Sequence, residues 1–162
     1  GIVVQVQPEN WQQYGTKGAL AALAFQSEIE QKAFKVVGSI QAPAQRLEDF
    51  IQKKTSQHLP KSSYIPGLTS YDLNSVLPRF ISDTLREGFI DFGKKMRGYR
   101  TNEAIVVGVE SRTSSPVRIP RDKETLRHPQ IKNLFPCGEG AQFTGFIVSA
   151  AMDGIACILK IQ

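Results

Sequence analysis

The feature that most constrains this fold is the C-terminal apolar run of residues 146–161, FIVSAAMDGIACILKI. Large apolar residues would surround a helix built from it, and only Ser149, Asp153 and Lys160 form a narrow polar stripe. The interspersed alanine and glycine residues would let such a helix approach a sheet closely. The run is shorter than the roughly 20 apolar residues of a membrane span. We therefore expect a buried helix in an α/β layer that is larger than this chain alone can build.

A glycine-rich turn precedes this run. Gly138, Glu139 and Gly140 follow the short apolar segment NLFPC. Glycine lets a backbone approach a ligand, and the start of a helix offers unpaired N–H groups and a partial positive charge. The Glu139 carboxylate could accept hydrogen bonds from ribose or ribityl hydroxyls. A purely steric role for the two glycines explains the same residues, so the turn alone does not distinguish a ligand-binding role from a structural one.

Hydrophobic spacing divides the chain into a mainly helical part and a part with short strands. The alternating IVVQVQ of residues 2–7 predicts a strand. Helices are predicted over residues 25–37, 42–55 and from about 70 to the basic segment GKKMRGYR at 93–100, with Pro78 in the first turn of a new helix. Short strands are predicted within residues 102–112, 117–119 and 131–140, before the final helix. The predicted fold class is α+β, with residues 1–100 as one region and 101–162 as the other.

The charge and the cysteine content set broad limits on function. The 162 residues carry a formal net charge of +5 and a sequence pI near 9.3, which permits an anionic partner. Two cysteines, Cys137 and Cys157, are too few for a disulfide or zinc framework, and the proline and apolar residue before Cys137 indicate a buried, inert thiol. We expect a cytoplasmic protein. Because the chain begins without methionine inside an alternating pattern, we also expect it to be part of a longer protein.

A basic stretch offers a second class of function. Residues 94–100, KKMRGYR, place four cations beside an aromatic ring, which could bind phosphate and stack a base. A basic C-terminal helix end explains the same residues through the helix dipole. We favour that explanation and do not expect a nucleic-acid partner, because no named nucleic-acid motif accompanies the stretch. His58 and His128 lie in loop-like contexts without a metal-binding or catalytic pattern.

Two segments resemble a known family. ESRTSSPVRIPRD, residues 110–122, and LFPCGEGAQFTGFIVSAAMDGI, residues 134–155, resemble the C-terminal end of bacterial FAD-dependent oxidoreductases. These are largely uncharacterised dehydrogenase-like flavoproteins related in fold to glutathione reductase. FQSEIEQKAF and APAQRLEDF resemble the segment that this family inserts before the last strands of its flavin domain. The resemblance covers most of the chain.

The resemblance implies that an essential part of the flavin site lies outside this chain. The family holds the FAD pyrophosphate with a strand, Gly-x-Gly-x-x-Gly and a helix, and this sequence has no such glycine triplet. The chain would supply an inserted helical region, the last strands and the final helix of the flavin-binding domain. Its partner would be the N-terminal dinucleotide-binding part of the same protein. We expect FAD in that full-length protein, and weak or no FAD binding and no catalysis by this chain alone.

The resemblance also implies candidate site residues. Those matching the family's contacts to the flavin ribityl chain and pyrimidine side are Gly138, Glu139, Gly140, Ala141, Thr144, Gly145, Phe146 and Ile147. Those expected to face the isoalloxazine or the substrate are Ser111, Arg112, Thr113, Ser114, Ser115 and Arg118. The chain departs from the family pattern at Gln142 and Phe146, which stand where that pattern has glycine. The alternative that we retain is a non-catalytic α+β binding module with a basic surface for an anionic partner.

Overall fold

The structure is a computed structural model that describes residues 1–12 and 18–161. Its helices are α1 (Pro8–Trp11), α2 (Ala21–Val37), α3 (Leu47–Gln52), α4 (Leu73–Val76), α5 (Arg79–Lys95) and α6 (Ile147–Ile161). Its strands are β1 (Ala42–Arg46), β2 (Leu68–Ser70) and β3 (Ile105–Val107). The predicted α+β class is confirmed. None of the helices within the described residues is both long enough and apolar enough to cross a membrane.

Contacts divide the chain into two compact units. The first contains Gly1–Asn10 and Gln26–Ser111, and the second contains Trp11–Phe25 and Arg112–Gln162. The sheet belongs to the first unit and α6 to the second. The division of this chain into one region of residues 1–100 and another of residues 101–162 stays a prediction.

The sheet places β1 between two partners. Strand β2 pairs with β1 in parallel, with Ala42 opposite Leu68, and β3 pairs antiparallel, with Ala44 opposite Val107. The prediction of one helix over residues 42–55 was therefore wrong in its first part, because Ala42–Arg46 are extended and α3 begins only at Leu47. Proline fixes φ at a value that extended backbone accepts, and the Pro43 carbonyl accepts a 3.0 Å hydrogen bond from the Gly108 N–H.

The core of the first unit forms where α3, α4 and α5 meet. Its buried residues are Leu47, Phe50, Leu73 and Phe89, and the Phe50 and Phe89 rings pack edge to face with their centroids 5.8 Å apart. The fully buried Gln45 side chain ties this core to the sheet. Its Nε2 donates to the Lys54 carbonyl at 2.8 Å, and its Oε1 accepts from the Leu73 N–H at 2.7 Å. Both polar ends of this amide are thus satisfied.

The helices with clear apolar periodicity were predicted well. Helix α2 buries Ala21, Phe25, Ile29 and Ala33, one residue per turn, although Phe34 of the predicted stripe is exposed. Helix α5 begins directly after Pro78, which takes the N-cap position in the extended conformation that proline favours. Its last turn carries Lys94 and Lys95, as expected for a helix C-terminus.

Three predicted strands are absent from the described residues. Residues 2–7, 117–119 and 131–140 contain no strand, and those predictions were wrong. A strand requires hydrogen bonds to a neighbouring strand, and none of these three segments pairs with β1, β2 or β3 in the sheet. The Ile119 N–H instead donates to the Ala141 carbonyl at 3.4 Å, which is a single contact between two loops.

Helix α6 has the predicted position. Within this chain only Cys157 of α6 is buried, whereas Ile147 is 91% exposed, Ile155 61% and Leu159 66%. Residues of the chain pack against one side of α6, near Asp153 and Cys157, and leave most of its apolar circumference uncovered. The expected burial was in a layer larger than this chain can build, and it stays a prediction.

Candidate functional site

The site develops from the turn that precedes α6, residues 138–145, which we name the Gly138 turn. Gly138 has φ of 69°, a left-handed conformation that favours glycine. Its carbonyl accepts from the Phe143 N–H at 3.1 Å, and the Glu139 carbonyl accepts from the Gln142 N–H at 2.9 Å. Gln142 itself has φ of 61°, so this position keeps a glycine-like backbone although its side chain is not glycine.

Two other glycines of the Gly138 turn are not required by the chain itself. Neither Gly140 nor Gly145 has a positive φ, and a Cβ added at either would meet no atom within 4 Å. Folding of the described residues would therefore accept a larger residue at both positions. The missing side chains leave the backbone open to a molecule outside the chain.

An ion pair fixes the Gly138 turn to α6. Arg121 donates from Nη2 to Asp153 Oδ1 at 2.7 Å and from Nη1 to Asp153 Oδ2 at 2.9 Å. The same Nη1 donates to the Pro136 carbonyl at 2.9 Å, and the Gly138 N–H donates to Asp153 Oδ2 at 2.9 Å. The two side chains are only 11% and 12% exposed. We name Arg121 and Asp153 the clamp, because they hold the backbone on both sides of Cys137.

The clamp favours the charged form of both its members. The hydrogen bonds from Arg121 hold the pKa of the Asp153 carboxyl below its ordinary value, against the opposing effect of burial, and the Gly138 N–H lowers it further. The hydrogen bonds to Asp153 likewise raise the pKa of the Arg121 guanidinium. The clamp was not predicted from the sequence. The one available signal was Asp153, an acidic residue within an otherwise apolar run.

The structure brings part of the predicted substrate-side segment next to the Gly138 turn. Arg112 Nη1 lies 3.5 Å from Glu139 Oε1, with both side chains partly exposed. The Arg118 guanidinium lies over the Phe143 ring, 4.6 Å from its centroid. Two segments that are separated in sequence, and that were both predicted to be functional, are therefore neighbours in the second unit.

The hydroxyl groups of this segment differ in availability. The buried Ser115 hydroxyl donates to the Val117 carbonyl at 2.8 Å, so it closes a local turn and does not face a ligand. Ser111 belongs to the first unit, where its hydroxyl bonds the Glu30 carboxylate. Thr113 and Ser114 are exposed. Of the predicted hydroxyls, these two can reach a molecule in solution.

The start of α6 carries the remaining predicted residues. Phe146 and Ile147 are 82% and 91% exposed, while Ala141 is buried within the turn. The Thr144 Oγ1 atom is buried and has no hydrogen-bond partner among the residues that the structure describes. An unsatisfied buried hydroxyl is costly, so Thr144 retains a hydrogen-bonding group that the described residues do not use.

The cysteines and histidines also have defined surroundings. Cys137 is exposed and Cys157 is buried, so the expectation that Cys137 is a buried thiol was wrong. The His128 Nδ1 accepts from the Gln130 and Ile131 N–H groups at 3.1 and 3.2 Å, which is a loop-closing role. Across residues 1–12 and 18–161, no group of three or more His, Cys, Asp or Glu side chains could hold a metal ion.

The basic stretch 94–100 is largely engaged within the first unit. Lys95 pairs with Asp91 at 2.6 Å, and Arg100 forms a bidentate pair with Glu48 at 2.6 and 2.9 Å. The Tyr99 ring packs edge to face against a phenylalanine of α5 and is partly buried against the core. These contacts favour the structural explanation of the stretch.

Comparison with known proteins decides the family. Residues 1–113 match the family described as FAD-dependent protein, C-terminal domain-like. The chain belongs to this family. It is also 40% identical, over 159 residues, to an uncharacterised protein of Clostridium beijerinckii strain ATCC 51743 / NCIMB 8052. That alignment covers 95% of the chain but only 29% of the relative, so the chain spans less than a third of the relative's length.

Membership in this family confirms the resemblance seen in the sequence. The chain is part of an FAD-dependent protein and corresponds to its C-terminal portion. The family match ends at residue 113, before the Gly138 turn, whereas the alignment to the Clostridium beijerinckii protein covers nearly the whole chain. The roles of individual residues in the turn therefore rest on its geometry.

Proposed function

We propose that this chain is the C-terminal part of an FAD-dependent oxidoreductase of the dehydrogenase type, and that it contributes contacts to the flavin ribityl chain and pyrimidine side. The observation that carries the proposal is the open backbone at Gly140 and Gly145, which folding of the chain does not require. The family match supports FAD as the ligand. Bound FAD would supply hydride transfer, and the protein would supply position and electrostatics.

The residues of the Gly138 turn suit particular parts of FAD. The partly exposed Glu139 carboxylate could accept hydrogen bonds from ribityl hydroxyls, with Arg112 holding its orientation from 3.5 Å. The unpaired N–H groups in the first turn of α6 would favour negative charge on the pyrimidine side of a reduced flavin. Thr144 offers the hydroxyl that lacks a partner. The clamp keeps the turn in place while these groups bind.

The substrate side is proposed to lie along residues 111–118. Arg112 and Arg118 provide guanidinium groups, and Thr113 and Ser114 provide exposed hydroxyls. Guanidinium and hydroxyl donors suit an anionic or carbonyl-bearing substrate. A cytoplasmic location stays a prediction made from the composition of the chain.

The proposed partner is the N-terminal dinucleotide-binding part of the same protein. The relative is more than three times as long as the matched region, so a comparable protein has ample sequence outside this chain. The exposed apolar side of α6 is the surface that such a part would cover, since Ile147, Ile155 and Leu159 are all more than half exposed. Burying these side chains would stabilise the assembly by about 1.5–3 kcal/mol for each fully covered residue.

The test compares two proteins. The 162-residue chain alone should show weak or no FAD binding in a fluorescence titration, whereas the protein made from the complete reading frame should carry FAD after purification. Uptake of FAD by the isolated chain at micromolar concentration would contradict the proposed division of the site. A complete protein that neither carries nor takes up flavin would refute the function itself.

Substitutions in the complete protein test the residues. Gly140→Leu and Gly145→Leu should each weaken FAD binding about tenfold or more, because the new side chain fills the open space. Folding should be unchanged, since a Cβ at either position would meet no atom of residues 1–12 and 18–161 within 4 Å, apart from the adjacent residues. Gly88→Ala is the matched control, because Gly88 is equally open but lies within α5. Unchanged FAD affinity in both leucine variants would exclude close approach of the flavin at this turn.

A further inference from the structure

The two cysteines of this chain converge on the clamp from different elements. Arg121 Nη1 donates to the Pro136 carbonyl, directly before Cys137, at 2.9 Å, and lies 3.5 Å from Cys157 Sγ. The Gly138 N–H, directly after Cys137, donates to Asp153, which precedes Cys157 by one turn of α6. Backbone contacts on both sides of Cys137 therefore keep it beside the helical turn that carries Cys157.

The two thiols differ in accessibility. Cys137 is exposed, whereas Cys157 is 3% exposed. Burial raises the pKa of the Cys157 thiol, Arg121 opposes that effect, and the side chain of Cys137 contributes as a hydrogen-bonding neighbour. An oxidant from solution would therefore react with Cys137 first, and the Cys157 thiol would then react with the oxidised Cys137 side chain.

We propose that Cys137 and Cys157 form a peroxide-sensitive site at which a reversible disulfide joins the Gly138 turn to α6. The Cys137 thiolate attacks hydrogen peroxide, which breaks the O–O bond and gives a sulfenic acid and, after protonation, one water molecule. The Cys157 sulfur then attacks the sulfenic sulfur, the S–S bond forms and a second water molecule leaves. In total, two thiols are oxidised, one peroxide is reduced and two water molecules form.

Arg121 lies beside the thiol that closes the disulfide. Burial raises the pKa of the Cys157 thiol, and the Arg121 guanidinium, 3.5 Å from Cys157 Sγ, opposes that rise. The disulfide would also link Cys137, directly before Gly138, covalently to α6, where only hydrogen bonds such as that from the Gly138 N–H to Asp153 now connect the two. Oxidation would thereby fix the turn that is proposed to contact FAD. The step uses only residues of this chain and needs no flavin, so its outcome is independent of the proposed function.

The test uses the reduced 162-residue chain and hydrogen peroxide. Oxidation should lower the mass of the monomer by two hydrogen atoms and remove both thiols from titration with Ellman's reagent, and dithiothreitol should restore them. Cleavage after Glu139 and before Asp153 should leave the Cys137 and Cys157 peptides connected until reduction. This protease choice matters because no lysine or arginine separates the two cysteines.

Single substitutions distinguish the role of Cys137, which reacts with peroxide, from the role of Cys157, which closes the disulfide. Cys157→Ala should leave a sulfenic acid at Cys137 that dimedone traps, and Cys137→Ser should retain a free Cys157 thiol under the same treatment. The proposal is overturned if the wild-type chain keeps two titratable thiols, gains oxygen without forming the bond, or forms only disulfide-linked dimers.

Discussion

The substitution Asp153→Asn removes the negative charge of the clamp and leaves the size of the side chain nearly unchanged. Asp153 accepts hydrogen bonds from both terminal nitrogens of Arg121 and from the Gly138 N–H, and it is 12% exposed. Exposed ion pairs contribute about 0–1 kcal/mol to the free energy of unfolding, and removal of one partner from a fully buried pair lowers it by about 3–5 kcal/mol. Because this pair is partly buried, we expect Asp153→Asn to lower the free energy of unfolding by about 2 kcal/mol. The corresponding decrease in Tm is about 4–8 °C.

The effect should depend on pH in a defined direction. Because the pKa of Asp153 is lowered on folding, its contribution is fully present above the unfolded value near 3.9 and is lost as pH falls through the folded value. The difference in unfolding free energy between wild type and Asp153→Asn should therefore be constant from pH 7 to about 5. It should then decrease below about pH 4.

Tryptophan fluorescence can follow this unfolding, because Trp11 is the single tryptophan and belongs to the second unit, as the clamp does. Asp91→Asn is the matched control, since its pair with Lys95 is exposed and should contribute less than about 1 kcal/mol. Equal stability of Asp153→Asn and wild type at pH 7, or a difference that persists unchanged to pH 3, would refute the role assigned to the clamp.

Two further predictions concern the first unit, and each compares a pair of variants by thermal unfolding. Gly88→Ala should stabilise the chain by about 0.5–1 kcal/mol, because Gly88 lies in α5 with nothing near its Cβ position, whereas Gly93→Ala should lack this gain because its Cβ would overlap the Arg100 side chain. An equal gain in both would contradict the packing at Gly93. Gln45→Ala should cost about 2–3 kcal/mol of unfolding free energy, because it removes a fully buried side chain and leaves the buried Leu73 N–H without its acceptor, and the exposed Gln52→Ala should cost less than about 0.5 kcal/mol. A Gln45→Ala loss as small as that of Gln52→Ala would contradict the burial of this amide.

The helices could be predicted because their signals are local. The apolar spacing in α2, the proline before α5 and the continuous apolar run of α6 each lie within one segment. Hydrogen bonds between a residue and the residue four positions before it are decided by the same short stretch. Errors remained at the ends, as at Ala42–Arg46, where pairing with two other strands overrode a helical interpretation.

The strands were predicted less well because pairing is not local. Residues 2–7 alternate like a strand, yet they contain no strand in this structure. The short segment Leu68–Ser70 was not among the predicted strands, yet it forms β2 because it pairs with β1. A sequence shows the preference of a segment for extended backbone, but the fold decides which extended segments have partners.

The candidate site shows the same division between local and distant information. By itself, the sequence determined the glycine turn and the apolar helix behind it, since conformational freedom at Gly138 and the hydrophobicity of α6 are properties of neighbouring residues. Only the tertiary structure decided that Arg121 clamps Asp153, that Arg112 reaches Glu139 and that the two cysteines converge. These contacts join residues between 20 and 32 positions apart, because the chain folds back on itself. Neither the periodicity nor the residue spacing within one segment predicts contacts between segments that are distant in sequence.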